Sequence, residues 1–360
     1  IRTREIDCPC AAGYQPTRND GARAHETQKV GERIDHDCQI FAHETATFKH
    51  SKSDHSALSC INCLDFPGRT RSQTDGEDAI IMKQTWFITG VNSGFGRHMT
   101  EQLLARGDRV AGTVRDLDSM TDLKARHGAA LWLAKLDLTD TPAIRRVVDR
   151  AFGELGRIDV VVSNAGYGLF GAAEEMTDAQ ITHQIDTNLI GSIQTVRAAL
   201  SHLRTQGGGR IIQLSSMGGQ ATFPAGSLYH AGKWGIEGFI DAIGQEVAGF
   251  DIGCTLVEPG AARTNFRYQS AQLSPKLDAY DASPARMAHR MIEERTSIPI
   301  GDAAKMAEIM IASADQHPAP KRIALGSDAY NVMHKQLSDR LAALEAQKEL
   351  AFSTDFGPGM

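Results

Sequence analysis

"TGVNSGFG", Thr89 to Gly96, puts three glycines into eight residues directly after the apolar run "TWFI". Glycine at that density packs no core. The stretch lies where a strand-like run hands over to a helical pattern, "FGRHMTEQLLARG", Phe95 to Gly107. A helix N-terminus offers unpaired N–H groups and a partial positive charge, which suits a phosphate. Gly90 permits the tight turn. Gly94 and Gly96 leave the backbone bare, so that a pyrophosphate, or the helix itself, comes close. Asn92, Ser93 and Phe95 complete the candidate binding turn. The spacing is Gly-x-x-x-Gly-x-Gly, and taken alone such a turn also serves purely structural ends.

Around this stretch the chain alternates. Strands are expected at 84–89, 108–114, 130–136, 158–163, 210–215, 252–257 and 321–326, with helices between them. One helix is signalled by Thr141 as its cap, Pro142 at its first position, and Ile144, Val147, Val148, Ala151, Phe152 and Leu155 at helical spacing. Another begins near Asp328, with Met333, Leu337, Leu341 and Leu344 on one stripe. The expected fold is α/β: a single Rossmann-type, doubly wound parallel sheet with helices on both faces. Ligands then sit beyond the carboxyl ends of the strands.

Composition bounds the rest. The chain has 360 residues, 41% hydrophobic and 23% charged, with net charge −6. That profile suits a soluble globular protein and gives no basic field for nucleic acid. No run of 18 consecutive apolar residues is present, so no membrane-spanning helix is expected. The N-terminus lacks the pattern of a signal peptide, and a cytoplasmic location is the expectation. Residues 1–81 are polar and without sustained periodicity, and read as a disordered extension preceding a domain at 82–360. They hold five of the six cysteines: Cys8, Cys10, Cys38, Cys60 and Cys63. "CINC" and "CPC", with His25, His36, His43, His50 or His55, offer zinc ligands, but no matching second knuckle follows, and no metal is expected. Cys254 sits in an apolar run and reads as a small buried hydrophobe.

Seven fragments in register resemble the short-chain dehydrogenase/reductase family over residues 83 to about 265. They are the glycine turn; "LDLTD", with Asp137 and Leu138 at the adenine-contacting position; "SNAG", with Asn164, Ala165 and Gly166; "NLIG", with Asn188; "IIQLSS", ending at Ser216; "YHAGK", with Tyr229 and Lys233; and "EPGAART", with Pro259, Gly260 and Thr264. Asn188 to Ser216 spans 28 residues and Ser216 to Tyr229 spans 13, as is usual in the family. The chain looks most like the 17β-hydroxysteroid and retinol dehydrogenase-like branch. Two departures stand out: Gly232 replaces the Ser usual before the Lys, and Ser163 replaces an Asn.

The resemblance implies an oxidoreductase moving hydride between a nicotinamide cofactor and a carbonyl or secondary alcohol. Asn188, Ser216, Tyr229 and Lys233 would be its catalytic set. Tyr229 and Lys233 are four apart on a helical pattern and share a face, although that spacing alone also describes a surface pair. A phenol near its free pKa of about 10 is a poor base at neutral pH, and lowering it by about 3 units needs roughly 4 kcal/mol. One ammonium about 4 Å away supplies that at an effective dielectric of about 20, so Lys233 is expected to tune Tyr229. Ser216 would hold the substrate oxygen. Asn188 would hold a water leading from Lys233. His230 is expected to point away from this face.

At the end of the second strand, "RVAGTVRD" has Val114 and Arg115 where an acid would select NAD. A guanidinium forks onto phosphate, so NADP(H) is the expected cofactor; a solvated strand-end charge is the alternative. "YGLFG" (Tyr167–Gly171), Met217 and "TFPAG" (Thr222–Gly226) flank an expected apolar pocket. A lid at about 265–297, with Phe266, Tyr268, Leu273, Leu277 and Tyr280, would close it over a small hydrophobic carbonyl or alcohol. Assembly as a homodimer or homotetramer through 177–204 and 227–249 is implied. The competing function is a nucleotide-binding redox sensor without turnover.

Overall fold

Short buried runs of Val, Ile, Phe and Trp form the strands, because residues flanked by helices on both faces need no polar side. The computed structural model describes residues 83–295 and 298–357. The expectations for residues 1–81, disorder and zinc alike, lie outside the described residues.

Seven parallel strands make one sheet, in the order β3-β2-β1-β4-β6-β7-β9. They are β1 (Thr85–Thr89), β2 (Arg109–Val114), β3 (Leu131–Lys135), β4 (Val160–Ser163), β6 (Gly209–Leu214), β7 (Ile252–Pro259) and β9 (Arg322–Leu325). Each falls within two residues of its expected start. Alternation along the strands divides the core. Trp86, Ile88, Val160, Val162, Ile212 and Leu214 face one side, toward α1 (Gly94–Arg106) and α8 (Ala303–Ser313). Phe87, Val161 and Ile211 face the other, toward α3 (Thr141–Leu155), α5 (Gly191–Thr205) and α6 (Ser227–Glu246). This is a doubly wound Rossmann-type sheet. The strand order reverses between β1 and β4, so the crevice for a ligand opens at their carboxyl ends.

Two helix expectations are corrected in detail. The cap of α3 is Asp140, not Thr141: its carboxylate accepts from the Ala143 N–H at 2.9 Å, and Thr141 is the first helical residue. The helix α9 (Ser327–Glu345) buries Ala329 and Met333 against Ala221, but Leu337, Leu341 and Leu344 on the same stripe are exposed. A two-stranded ribbon, β5 (Leu169–Phe170) with β8 (Gln272–Leu273), escaped the sequence reading because two residues show no period.

Thr89 and Asn164 lock the opening turn. The Thr89 hydroxyl accepts from the N–H groups of Asn164 (2.9 Å) and Ala165 (3.0 Å), while Asn164 Nδ2 donates to the carbonyls of Thr89 (2.8 Å) and Gly90 (3.1 Å). Gly90 turns with φ +73°, a left-handed conformation. A Cβ at Gly96 would strike the Gly90 carbonyl and come within 2.7 Å of Asn164 Nδ2. Gly232, inside α6, is different, since a Cβ there would meet only the Asn188 Cβ at 3.8 Å. Gly96→Ala is therefore expected to destabilise the fold by about 1–3 kcal/mol through overpacking. Gly232→Ala is expected to stabilise it by about 0.5–1 kcal/mol, because it removes a helix-interior glycine without a clash. Urea unfolding of both variants checks the opposite signs.

Candidate active site

The crevice is walled by three turns. Gly94 takes φ +54° at the start of α1, and Ser93 stands at the N-cap, extended, without bonding its side chain to the first turn. Across from them, the position of a Gly94 Cβ lies 3.6 Å from Thr264 Cβ, so the turn after β7 arches over the glycine loop. That turn is held from behind: Gly260 N–H donates to the Leu325 carbonyl at 2.8 Å, and Ala261 N–H donates to Asp328 Oδ2 at 2.7 Å. Pro259 closes β7. A bare backbone, a helix N-terminus and a facing hydroxyl residue form a cradle that fits a dinucleotide pyrophosphate.

The outer binding residues are unequal. Arg115 is exposed at the end of β2, near enough to Asp137 to help hold that carboxyl below its usual range. The larger cause is Thr139: Asp137 Oδ1 accepts from its N–H (2.9 Å) and hydroxyl (2.8 Å), so the side chain is spent on a local turn. Leu138 is packed into the core, Phe95 leans on the opposite core layer, and Asn92 is exposed. Gly166 lies against Asn188 Oδ1.

The four catalytic candidates come from three elements, and all four are buried. Ser216 follows β6 and accepts the Gly218 N–H at 3.1 Å. The buried Tyr229 hydroxyl, from the first turn of α6, faces Ser216. Burial pushes the phenol up to about 12, and Ser216 only partly offsets it. Lys233, one turn on, donates to the Leu214 carbonyl at 2.8 Å and lies 5.8 Å from the centre of the Tyr229 ring. Burial pushes Lys233 down to about 8, with Glu237 acting in the opposite direction. The expected lowering of the phenol by the ammonium is thus not what this arrangement gives. Lys233 Nζ is bonded to the Leu214 carbonyl, and desolvation of the phenol dominates.

Asn188 lies in a π-helical turn, Asp186–Ile190, between α4 (Asp178–Ile185) and α5. Such turns recur at functional sites. Its amide makes two bonds to Tyr167, accepting from the N–H at 3.0 Å and donating to the carbonyl at 2.6 Å. It therefore braces the segment after "SNAG". His230 is buried rather than turned outward: Nδ1 bonds the Gly218 carbonyl at 2.9 Å and Nε2 accepts from Phe223 N–H at 3.1 Å. Burial holds its pKa down, and it ties the Ser216 loop to α6.

Phe170 and Phe266 place their rings 5.7 and 6.1 Å from Tyr229 and give the site an aromatic wall. Tyr167 turns elsewhere, to His183 Nδ1 at 2.7 Å. Ala225, a non-glycine residue at φ +69°, accepts Gly171 N–H at 2.9 Å, so "TFPAG" is strained into place beside "YGLFG". The expected lid carries a second π-turn (Phe266–Ser270), β8 and α7 (Met287–Glu293). Its latch was not foreseen. Buried Glu175 accepts from Ala172 N–H (2.9 Å), Leu277 N–H (2.9 Å), Ser274 Oγ (3.0 Å) and Arg286 Nη2 (2.7 Å). These donors hold the carboxyl down at about 2 against the cost of burial. Glu175 and Arg286 stand 111 positions apart and belong to no motif, so only the fold brings them together.

Residues 84–273 match the family model for short chain dehydrogenase. An oxidoreductase of Botryotinia fuckeliana is 32% identical over 274 residues, covering 76% of this chain and all of that protein. Retinol dehydrogenase 8 of Homo sapiens is 32% identical over 190 residues, 51% of this chain and 60% of the other. Among solved structures, a short-chain dehydrogenase from Streptomyces avermitilis is 34% identical, with TM-score 0.70, covering 76% of this chain and 100% of that one. Two more distant folds were solved with nucleotides. One is a metagenomic short-chain oxidoreductase with NADP (23% identity, TM-score 0.54, 67% and 96% covered). The other is a Burkholderia phymatum protein with NAD (19%, 0.64, 74% and 95%).

Glu175→Ala is expected to cost about 3–5 kcal/mol, because it removes the buried partner of Arg286 and leaves only the exposed Asp281 beside that guanidinium. The stability that Glu175 supplies is present above its unfolded value and lost only as pH falls through about 2, so the latch persists at pH 5. Urea unfolding of wild type and variant at neutral pH and at about pH 5 measures both effects.

Proposed function

The chain belongs to the short-chain dehydrogenase family, and from that premise we propose that it is an NADP-dependent reductase of hydrophobic ketones or aldehydes, with Tyr229 as the acid. The observation that carries this reading is the buried Tyr229 phenol facing a buried Ser216, one helical turn from a buried Lys233. A phenol pushed up to about 12 keeps its proton at neutral pH, which suits donation and hence reduction.

The bound nicotinamide nucleotide supplies the hydride. Ser216 donates to the substrate oxygen and steadies the negative charge that develops as the carbonyl π bond breaks. Tyr229 delivers its proton to that oxygen and completes the alcohol; the phenolate then recovers a proton from solvent. Lys233, fixed by the Leu214 carbonyl, supports the phenolate while it lasts. Asn188 keeps the wall of the site in register through Tyr167. Phe170 and Phe266 favour an apolar substrate and exclude water from the transfer.

Arg115 supports the choice of NADP: it is exposed at the strand end, where a guanidinium meets a 2′-phosphate bidentately. A homodimer or homotetramer through α4–α5 and α6 is supported by Ile190 and Trp234, apolar residues exposed at those elements.

Tyr229→Phe is expected to abolish turnover while NADPH binding, followed by fluorescence titration, persists. A variant that still reduces ketones in a substrate screen overturns Tyr229 as the acid. Ser216→Ala should lower kcat by about 10²–10³. Arg115→Asp should move the ratio of kcat/KM for NADPH over NADH toward NADH; an unchanged ratio refutes the phosphate clamp.

A further inference from the structure

Below Lys233 lies a second cluster of buried charge. Glu237 is one turn further along α6, and Glu258 stands near the end of β7, just before Pro259. Each is 3% exposed. Both carboxyls lie against one guanidinium, that of Arg322. Two buried carboxylates facing one half-buried cation leave a negative charge that a single shared proton relieves.

The surroundings tie the pair to the end of β6, to the loop that follows it and to β9. Glu237 Oε1 accepts from Ser215 Oγ at 2.5 Å, and its Oε2 accepts from Gln220 Nε2. Arg322, half-buried on β9, sets Nε 3.2 Å from Glu258 and 3.6 Å from Glu237, and pairs with Asp241. Ser215 lies between Leu214, whose carbonyl accepts the Lys233 hydrogen bond, and Ser216, which faces Tyr229.

We propose that Glu237 and Glu258 form a one-proton carboxyl pair that positions the reacting groups, fixing the Leu214–Ser216 strand end against α6 and setting the electrostatic field at Lys233. Its catalytic consequence rests on the reductase reading; the field itself does not.

The charges facing the pair are Lys233 and Asp241 from α6 and Arg322 from β9. Asp328 is bound to the turn beyond Gly260, while Tyr229 and His230 face Ser216 and Gly218 on the far side. Burial first, and Glu237 second, push Glu258 up to about 7. As pH rises through that value the pair passes from one negative charge to two. The added charge favours the ammonium of Lys233, which burial alone disfavours. Loss of Glu258's titration should therefore let Lys233 deprotonate at lower pH. The stability sign is separate. A raised carboxyl stabilises fully below its unfolded value, and that contribution is lost as pH rises through about 7.

Protein labelled with ¹³C at lysine Cε tests this by NMR from about pH 6 to about pH 10. The Lys233 resonance is identified by its loss in Lys233→Arg. In wild type it should show a minor inflection near 7, coincident with the titration of a buried glutamate carboxyl followed in ¹³C-glutamate-labelled protein. In Glu258→Gln that inflection should vanish, and the main midpoint should fall by about one unit. A wild-type curve with a single inflection, or a main midpoint in folded Glu258→Gln within about 0.2 unit of wild type, overturns the pair. The wild-type measurement stands even if the variant does not fold. Neither readout needs substrate or turnover. A shifted Lys233 in a protein that reduces no carbonyl would refute the reductase reading alone; an unshifted one in an active enzyme would refute the pair alone.

Discussion

Lys233 is an ammonium placed where water does not reach, bonded through Nζ to the carbonyl of Leu214. Burying such a charge is costly unless hydrogen bonds and opposite charge offset the lost hydration. The surroundings read as the answer to that constraint. The accepting carbonyl ends β6, so satisfying Lys233 fixes α6 against the sheet at the residue that leads into Ser216. The nearest buried negative charge is Glu237, and Glu237 in turn reaches back to Ser215. One buried cation thereby ties together the helix that carries Tyr229 and the strand end that carries Ser216.

Two physical effects compete at Tyr229. An ammonium whose Nζ stands 5.8 Å from the ring centre draws the phenol toward the phenolate, by about 2–4 kcal/mol for one charge within about 4–8 Å at an effective dielectric of about 20. Full burial of a phenol is worth as much or more in the other direction. Here burial wins and raises the phenol, which faces Ser216. A residue that starts each cycle with its proton in place is matched to reduction. On the proposed reading the lysine matters most after the proton has left, when a phenolate in a dry site needs that cation for compensation.

The parts of this arrangement that depend on local chemistry were legible in the chain itself. Trp86, Phe87 and Ile88 announce a strand buried on both faces, and the glycine spacing announces a backbone that something must approach. Tyr229 and Lys233 are neighbours by helical geometry alone. What the chain does not display is long-range polar pairing. Glu175 meets Arg286 across 111 positions, and Asp328 reaches Ala261 across 67. Glu237 was the exception within reach, because its spacing of four from Lys233 puts it on the same helical face. The exposed stripe of α9 misled for a related reason. A pattern of Leu at helical spacing records an apolar face, but not whether this chain supplies the surface that covers it.

Glu175 and Glu258 put the same side chain in two dry places with opposite outcomes, and the difference is the count of donors. Glu175 accepts two backbone N–H groups, a hydroxyl and a guanidinium, enough to make the charged form the comfortable one, near 2. Glu258 is offered a half-buried arginine from one side and another carboxyl from the other, and rises to about 7. A latch that must hold the lid whatever the pH is built from the first environment. A group whose charge is to change in the neutral range requires the second, and Glu237, which shares Arg322 with Glu258, is the carboxyl that acts on Lys233.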